Sequence, residues 1–454
     1  MSEKPNIILI TVDCLRPDHL GFMGYRDISP NLDKLARESV VFKEAFAVGP
    51  STPYSFPGIL TSTYPLDFQG PKRIKRPRKL ISEVLKEQGY ITAAFHSNPR
   101  VSEFFGYNLG WDFFEDVTLP SEVRSEKGKI KKRRISAVKR LLKVIESFLH
   151  NFIPDISFRI RYLMYKFSNK KDNFKVKASY LNQIAEDFIE VQENKPLFVW
   201  LHYMDVHGPY FSYDHYKGNK KLSFLELVGK VLPSYPLNNS YVPLNSFIEK
   251  HIKDVIYLYD QGIKYVDEEI GKLIDYLKEK GLYNKSIIII TADHGDELWD
   301  HGHPSHGNKL YNELLRVPLI IKIPGREGEV IDSKVSQIDL ATTICDLIGI
   351  KEESFKGGSL FSPREFIFHQ TGEAEKGEVY RDIEIKNINQ CKVACQSKEW
   401  KYILNYDLSK EELYNLLGDP KEKENIIDDN KEIALSMKDK IKEFERENPP
   451  LSLL

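Results

Sequence analysis

At 454 residues the chain can bury a large core, most simply as one large domain with a smaller one. Its 65 Lys+Arg and 66 Asp+Glu leave a formal net charge of −1, so overall charge says nothing about partners, and no nucleic-acid partner is expected. Four cysteines (Cys14, Cys345, Cys391 and Cys395) are too few for a disulfide framework, and the composition fits a soluble enzyme.

The chain enters an apolar run, Asn6–Thr11, almost at once and without a signal peptide. No run of about 18 apolar residues follows, so a cytoplasmic location is expected. The first run reads as a buried strand ending in Val12-Asp13. A helix is expected around Asn31–Ser39. Lys79–Gln88 is amphipathic and stops at Gly89, a natural residue for a left-handed cap. Strand Tyr90–Phe95 follows, then helix Ala178–Val191 and strand Leu197–Leu201. Ile252–Lys280 reads as a long amphipathic helix that ends at Gly281 and feeds the β-branched run Ser286–Ile290. Val317–Ile323 is another strand. Helices alternating with apolar runs predict an α/β fold, a mostly parallel central sheet sandwiched by helices. After about residue 360 the pattern changes. Short strands at Lys401–Asn405 and Glu412–Leu416 and a helix at Asn430–Glu445 predict a small C-terminal α+β subdomain. The expected division is 1–360 and 361–454.

Two segments interrupt the alternation. Residues 119–177 carry apolar side chains at helical spacing from Ile135 to Phe152. Residues 121–177 hold 17 Lys/Arg against 5 Asp/Glu, a net of +12. The plain expectation is a docked helical cap with a solvated basic side. The functional alternatives are a funnel for an anionic substrate, or peripheral membrane contact through 124–152. Residues 211–250, rich in Pro, Asn and Ser, read as a lid or loop insertion. Cys391-x3-Cys395 has the spacing of a metal half-site, but no second half exists.

The chemistry lies at strand ends. Asp293-His294-Gly295 follows the run Ser286–Ile290, at the carboxyl end where open α/β sheets place their ligands. Asp offers a hard oxygen and neutral His a nitrogen to a divalent cation. Asp13 ends the first strand in the same way. Two strand ends that each deliver a carboxylate predict one metal held between them.

The order of motifs then carries a resemblance. Asn6-Ile-Ile-Leu-Ile-Thr-Val-Asp13 with Arg16-Pro-Asp-His-Leu-Gly21 resembles the opening of the sulfatase family of the alkaline phosphatase superfamily. Tyr25–Ala45, His202-Tyr-Met-Asp205-Val-His207-Gly-Pro-Tyr210 and Asp293–Pro318 resemble its later segments. Glu412-Leu-Tyr-Asn-Leu416 with Asp419-Pro420 and Glu424-Asn425 resembles its ending.

The resemblance implies a metal-bound nucleophile at the start of a helix, within Gly49–Thr61. Sulfatases carry Cys or Ser in C/S-x-P-x-R, oxidised to formylglycine. Aligning Ile59-Leu60-Thr61 puts Thr52 at the nucleophile and Phe56 at the Arg; aligning the Ser-x-Pro puts Ser51 and Ser55 there. The first register needs no gap and is preferred. Either way the Arg is missing. A Thr oxygen on a divalent cation is a competent nucleophile for phosphorus. The expectation is a hydrolase or transferase acting on a small anionic phosphate ester, a diester ahead of a monoester. A sulfuric ester hydrolase using Ser51 and a catalytically degenerate binding protein are the alternatives.

Calcium-type sulfatases place a second Asp after the first, where this chain has Cys14. The loss favours zinc or manganese over calcium or magnesium on Asp13, Thr52, Asp293 and His294. Asp205, His207 and His306 decide between one ion and two. They either contact the substrate or, like an Asp and two His in two-metal relatives, hold a second ion. His202 is expected to support the site rather than ligate. His301 and His303 are ambiguous. Asn98 either donates to a phosphoryl oxygen or closes a turn before Pro99.

Overall fold

The computed structural model describes residues 4–71, 73–116, 176–192, 195–208, 210, 246–302, 304–372, 388–407 and 410–450. The basic segment and most of the Pro/Asn/Ser-rich one, with the membrane-contact reading of 124–152, lie outside these residues.

The strands are β1 (Asn6–Val12), β2 (Val40–Phe46), β3 (Ile91–His96), β4 (Phe113–Asp116), β5 (Leu197–Tyr203), β6 (Ser286–Ala292), β7 (Glu297–Leu298), β8 (Pro304–Ser305), β9 (Arg316–Lys322), β10 (Glu329–Ser336), β11 (Ile367–Gly372), β12 (Cys391–Gln396), β13 (Trp400–Asn405) and β14 (Glu412–Asn415). The helices are α1 (Pro30–Arg37), α2 (Thr52–Thr61), α3 (Ile81–Glu87), α4 (Ala178–Glu190), α5 (Ser246–Glu279), α6 (Asn312–Leu315), α7 (Leu340–Leu347) and α8 (Lys431–Glu447).

Eight strands form the central sheet in the order β10-β2-β9-β6-β1-β5-β3-β4. Only β9 runs antiparallel to its neighbours β2 and β6. The middle strands β1, β5 and β6 are continuous apolar runs because both of their faces are buried. Helices α1, α4 and α5 pack as one group, and α2, α3 and α7 as another. The expected α/β architecture is therefore present. Helix α5 begins at Ser246, inside the stretch read as a loop to 250. Among the described residues no helix is long and apolar enough to cross a membrane.

The small antiparallel sheet runs β11-β12-β13-β14. Its apolar face, with Val393, Cys395, Tyr402 and Leu404, packs on Ala434, Met437, Ile441 and Phe444 of α8. Strands β11 and β12 were not expected from the sequence. Cys391 and Cys395 open and nearly close β12, so their spacing spans about 13 Å of extended chain. That separation rules out a shared metal half-site, and both thiols are buried and free.

Candidate active site

Strands β6, β1, β5 and β3 are consecutive parallel neighbours in the sheet, and their carboxyl ends deliver the site. Val12 pairs with Ala292, so Asp13 and Asp293 emerge side by side. The Asp13 N–H donates to Tyr203 O at 2.9 Å. The chain then turns at Cys14 with φ of 63°, a region few residues other than glycine occupy. Two bonds hold that turn. Cys14 N–H donates to Asp293 Oδ1 at 3.3 Å, and Tyr259 OH donates to Cys14 O at 2.6 Å. Gly295 is required because a Cβ there would lie 2.0 Å from Glu313 O. Its N–H donates to Leu314 O at 2.8 Å, which brings the returning loop against the site.

Thr52 is the first residue of α2, after Ser51 in extended conformation. Its Oγ1 donates to Asp293 Oδ2 at 3.0 Å and lies 3.5 Å from both Asp13 Oδ2 and His294 Nε2. Ser51 contributes its carbonyl to the helix start, accepting from Tyr54 N at 2.8 Å and Ser55 N at 3.0 Å. Asn98 Nδ2 donates to Asp13 Oδ2 at 2.8 Å and stands 3.3 Å from Thr52 Oγ1. Asn98 Oδ1 accepts Arg100 N–H at 2.9 Å, so one amide both faces the site and closes the turn.

Asp13, Asp293 and His294 are fully buried. Burial and the neighbouring Asp13 push the Asp293 carboxyl up to about 7. Burial also opposes the Asp13 charge, but His207, His202 and His294 outweigh it and hold Asp13 well below the usual carboxylate range. Burial, with His306 beside it, pushes His294 down to about 4, so its ring is neutral at pH 7. His294 Nδ1 donates to Gly295 O at 2.7 Å, which leaves Nε2 facing the carboxylates, the arrangement of a metal-ligating imidazole. One ligand atom each from Asp13, Asp293 and His294 lie within 4.8 Å of one another. A dication would offset the repulsion of two buried carboxylates, so this donor set fits the ion that the motif predicts.

His306 and His207 flank the cluster with ring centroids 5.0 Å apart, and His306 lies 4.5 Å from His294. Burial opposes protonation of His306, but Asp296, 3.1 Å from its Nδ1, raises its pKa. One Asp205 oxygen accepts Ala178 N–H at 3.0 Å, at the start of α4. The structure thus gathers Asp13, Thr52, Asn98, Asp293 and His294, sets His207 and His306 beside them, and ties Asp205 to a helix. His202 supports the site: Nδ1 lies 2.8 Å from Thr11 Oγ1 and Nε2 3.4 Å from Asp13 Oδ2. His301 belongs to the loop scaffold, with Nδ1 2.5 Å from Glu313 Oε1 and Nε2 donating to Glu422 O at 2.9 Å. His303 lies outside the described residues.

Phe56 is fully buried one turn beyond Thr52, edge-on to His202 at 5.0 Å and 5.4 Å from Trp200. In the register that puts Thr52 at the nucleophile, the position of the sulfatase Arg is an aromatic wall. Sequence reasoning missed two neighbours. Cys14 Sγ donates to Asp13 Oδ1 at 3.1 Å and lies 3.5 Å from His306 Nδ1. Asp296 holds His306 and accepts from Tyr210 OH. Its place three residues after Asp293 was the available signal.

Comparison with known proteins identifies the family. The sulfatase family model matches residues 5–350, and the model for the C-terminal region of N-sulphoglucosamine sulphohydrolase matches 304–447. The chain is 25% identical to the uncharacterized sulfatase YidJ of Escherichia coli, covering 94% of this chain and 84% of that one. It is 26% identical to an arylsulfatase of Clostridium perfringens, covering 93% and 90%. Its fold is similar to that of a phosphonate monoester hydrolase of Agrobacterium radiobacter, with a TM-score of 0.71 at 18% identity over 99% and 97% of the two chains.

Proposed function

The chain belongs to the sulfatase family, and from that premise we propose that it is a metal-dependent hydrolase or transferase of phosphate esters, diesters ahead of monoesters, with Thr52 as its nucleophile. The observation that carries the reading is the Thr52 hydroxyl among Asp13, Asp293 and His294, with Phe56 at the position of the sulfatase Arg. The fold likeness to a phosphonate monoester hydrolase agrees with phosphorus as the reacting centre.

Asp13, Asp293, His294 and the Thr52 oxygen would hold a divalent ion, which would supply Lewis-acid stabilisation of the developing charge when bound. Two carboxylates and an imidazole suit zinc or manganese; calcium asks for about 6–8 oxygens. Thr52 Oγ attacks phosphorus in line. The Thr52 hydroxyl proton passes to solvent as the new O–P bond forms; the bond to the leaving alkoxide breaks, and the alkoxide takes a proton from solvent, leaving a phosphothreonine and the free alcohol. The N-terminus of α2, a ten-residue helix that Thr52 opens, favours the bound anion. The Asn98 amide donates to a phosphoryl oxygen beside Thr52. His207 and His306 line the side on which the leaving alcohol departs. Water or an acceptor alcohol then takes the phosphoryl group and regenerates Thr52.

A second reading, sulfate-ester hydrolysis by a modified Ser51, is favoured by the arylsulfatase relative. Parallel turnover of nitrophenyl phosphate, a bis-nitrophenyl diester and nitrophenyl sulfate separates the two, with acid quenching to trap phosphothreonine. The expected result is diester turnover with label on Thr52. Sulfate turnover with a mass loss of about 2 Da at Ser51, an alcohol oxidised to an aldehyde, overturns it. Absence of all turnover in the metal-loaded protein leaves the binding-protein alternative.

A further inference from the structure

The geometry points to Cys14 as a thiolate ligand of a second, soft divalent ion, held with His306 and His207 beside the Asp13–Asp293–His294 cluster. The inference rests on the metal-dependent reading above and deepens it.

In the sequence Cys14 marks only a missing carboxylate. In the structure it is a left-handed residue at the end of β1, and strained non-glycine backbone concentrates at functional sites. Sγ lies 3.5 Å from His306 Nδ1. In a tetrahedral zinc site, with Zn–S about 2.3 Å and Zn–N about 2.0–2.1 Å, sulfur and nitrogen ligands stand about 3.5 Å apart. A His207 ring nitrogen lies within 4.8 Å of Cys14 Sγ and of an Asp13 oxygen. His294 belongs to the first ion, because its Nε2 faces Thr52 Oγ1 at 3.5 Å and Asp293 Oδ2 at 3.4 Å, while its Nδ1, 4.0 Å from Sγ, is bonded to the backbone carbonyl of Gly295.

Asp13 divides its oxygens between the two places. Oδ2 accepts from Asn98 and lies beside Thr52, while Oδ1 accepts the Cys14 thiol at 3.1 Å. One carboxylate can therefore serve both ions. Asp296 Oδ1 lies 3.1 Å from the same His306 Nδ1; for that nitrogen to ligate, its proton goes to solvent, and Asp296 stays as negative charge on the same side. Among the described residues Cys14 is the one cysteine within a group of metal-ligating side chains. A thiolate with two imidazoles favours zinc or cobalt over magnesium or calcium. Binding releases the thiol proton to solvent as the S–metal bond forms.

The test is cobalt titration of the metal-free full-length protein, followed by near-ultraviolet absorption, with zinc-edge X-ray absorption on the zinc-loaded wild type. Two ions per chain, a thiolate-to-cobalt band and a Zn–S distance of about 2.3 Å are expected. Cys14→Ser should remove the band and lower the count to one. Two ions without a sulfur neighbour, or a band that survives Cys14→Ser, overturns the thiolate ligand and leaves the Thr52 reading standing. One ion per wild-type chain overturns the second site. No cobalt binding at all overturns both readings. If Cys14→Ser fails to fold, the wild-type X-ray absorption still decides.

Discussion

Thr52 Oγ1 donates to Asp293 Oδ2 across 3.0 Å, joining the first residue of α2 to the end of β6 from positions 241 apart in the chain. The bond fixes the hydroxyl where a candidate metal-ligating carboxylate and a helix N-terminus both act on it. Thr52→Ala should lower diester turnover by about three decades or more, since it removes the proposed nucleophile. Thr52→Ser should retain it to within about tenfold and still trap a phosphoryl group. Equal loss in both variants would show that the threonine methyl group, and not the oxygen, matters.

Asp13→Ala, Asp293→Ala and His294→Ala should each lose the bound ion and the activity while keeping the fold. Elemental analysis and circular dichroism check this. Chelation of the wild type should lower its melting temperature, because the ion binds the folded state alone. Asp293→Asn should melt no lower than the metal-free wild type, since it relieves the repulsion that raises Asp293.

Phe56→Arg restores the sulfatase residue type but places a cation where no carboxylate is arranged for it. Phe56 is fully buried among rings: His202, Trp200 and Tyr107 surround it. The expected result is a loss of roughly 3 kcal/mol or more in stability, with no gain of sulfate turnover. Denaturant unfolding and a sulfate assay measure both.

Lys401 and Glu422 form a fully buried ion pair at 2.7 Å, and Asn312 N–H donates to the other Glu422 oxygen at 2.6 Å. This pair ties the small sheet to the loop that holds His301. Lys401→Met should cost about 3–5 kcal/mol by leaving a buried carboxylate unpaired. Adding Glu422→Gln should return part of that loss, which a double-mutant cycle reads directly.

Glu445 on α8 is pushed up to about 7 by burial. Between its ordinary value of 4.5 and 7 the folded state binds more protons than the unfolded one, so this group lowers stability as pH rises through that window. Glu445→Gln should leave stability near pH 4.5 unchanged and raise it at pH 8 by roughly 1 kcal/mol, after discounting for solvent screening. A destabilised variant at pH 8 would refute the burial account.

The core strands were legible because burial on both faces demands unbroken apolar runs, as in Ser286–Ala292. Strands β2, β10 and β11 were not, because half-exposed residues such as Lys43 and Glu44 break the run. Asn98 was legible only as an ambiguity, and the structure shows its two amide atoms serving the two purposes at once. Asp296 was passed over because a single Asp carries no periodic signal, and Cys14 was read only as a missing carboxylate.

The sequence by itself determined the strand ends, the carboxylate–imidazole chemistry and the departures at Cys14, Thr52 and Phe56, since these are properties of residue type and local order. Tertiary structure decided which atoms meet. Parallel pairing of β1 with β6 sets Asp13 beside Asp293, and the start of α2 brings Thr52 Oγ1, rather than the Ser51 carbonyl's residue, to both carboxylates. The turn at Cys14 places a thiol 3.5 Å from an imidazole 292 residues away. Such distances depend on sheet order and helix packing, which are set by burial of the whole core and by no single stretch of chain.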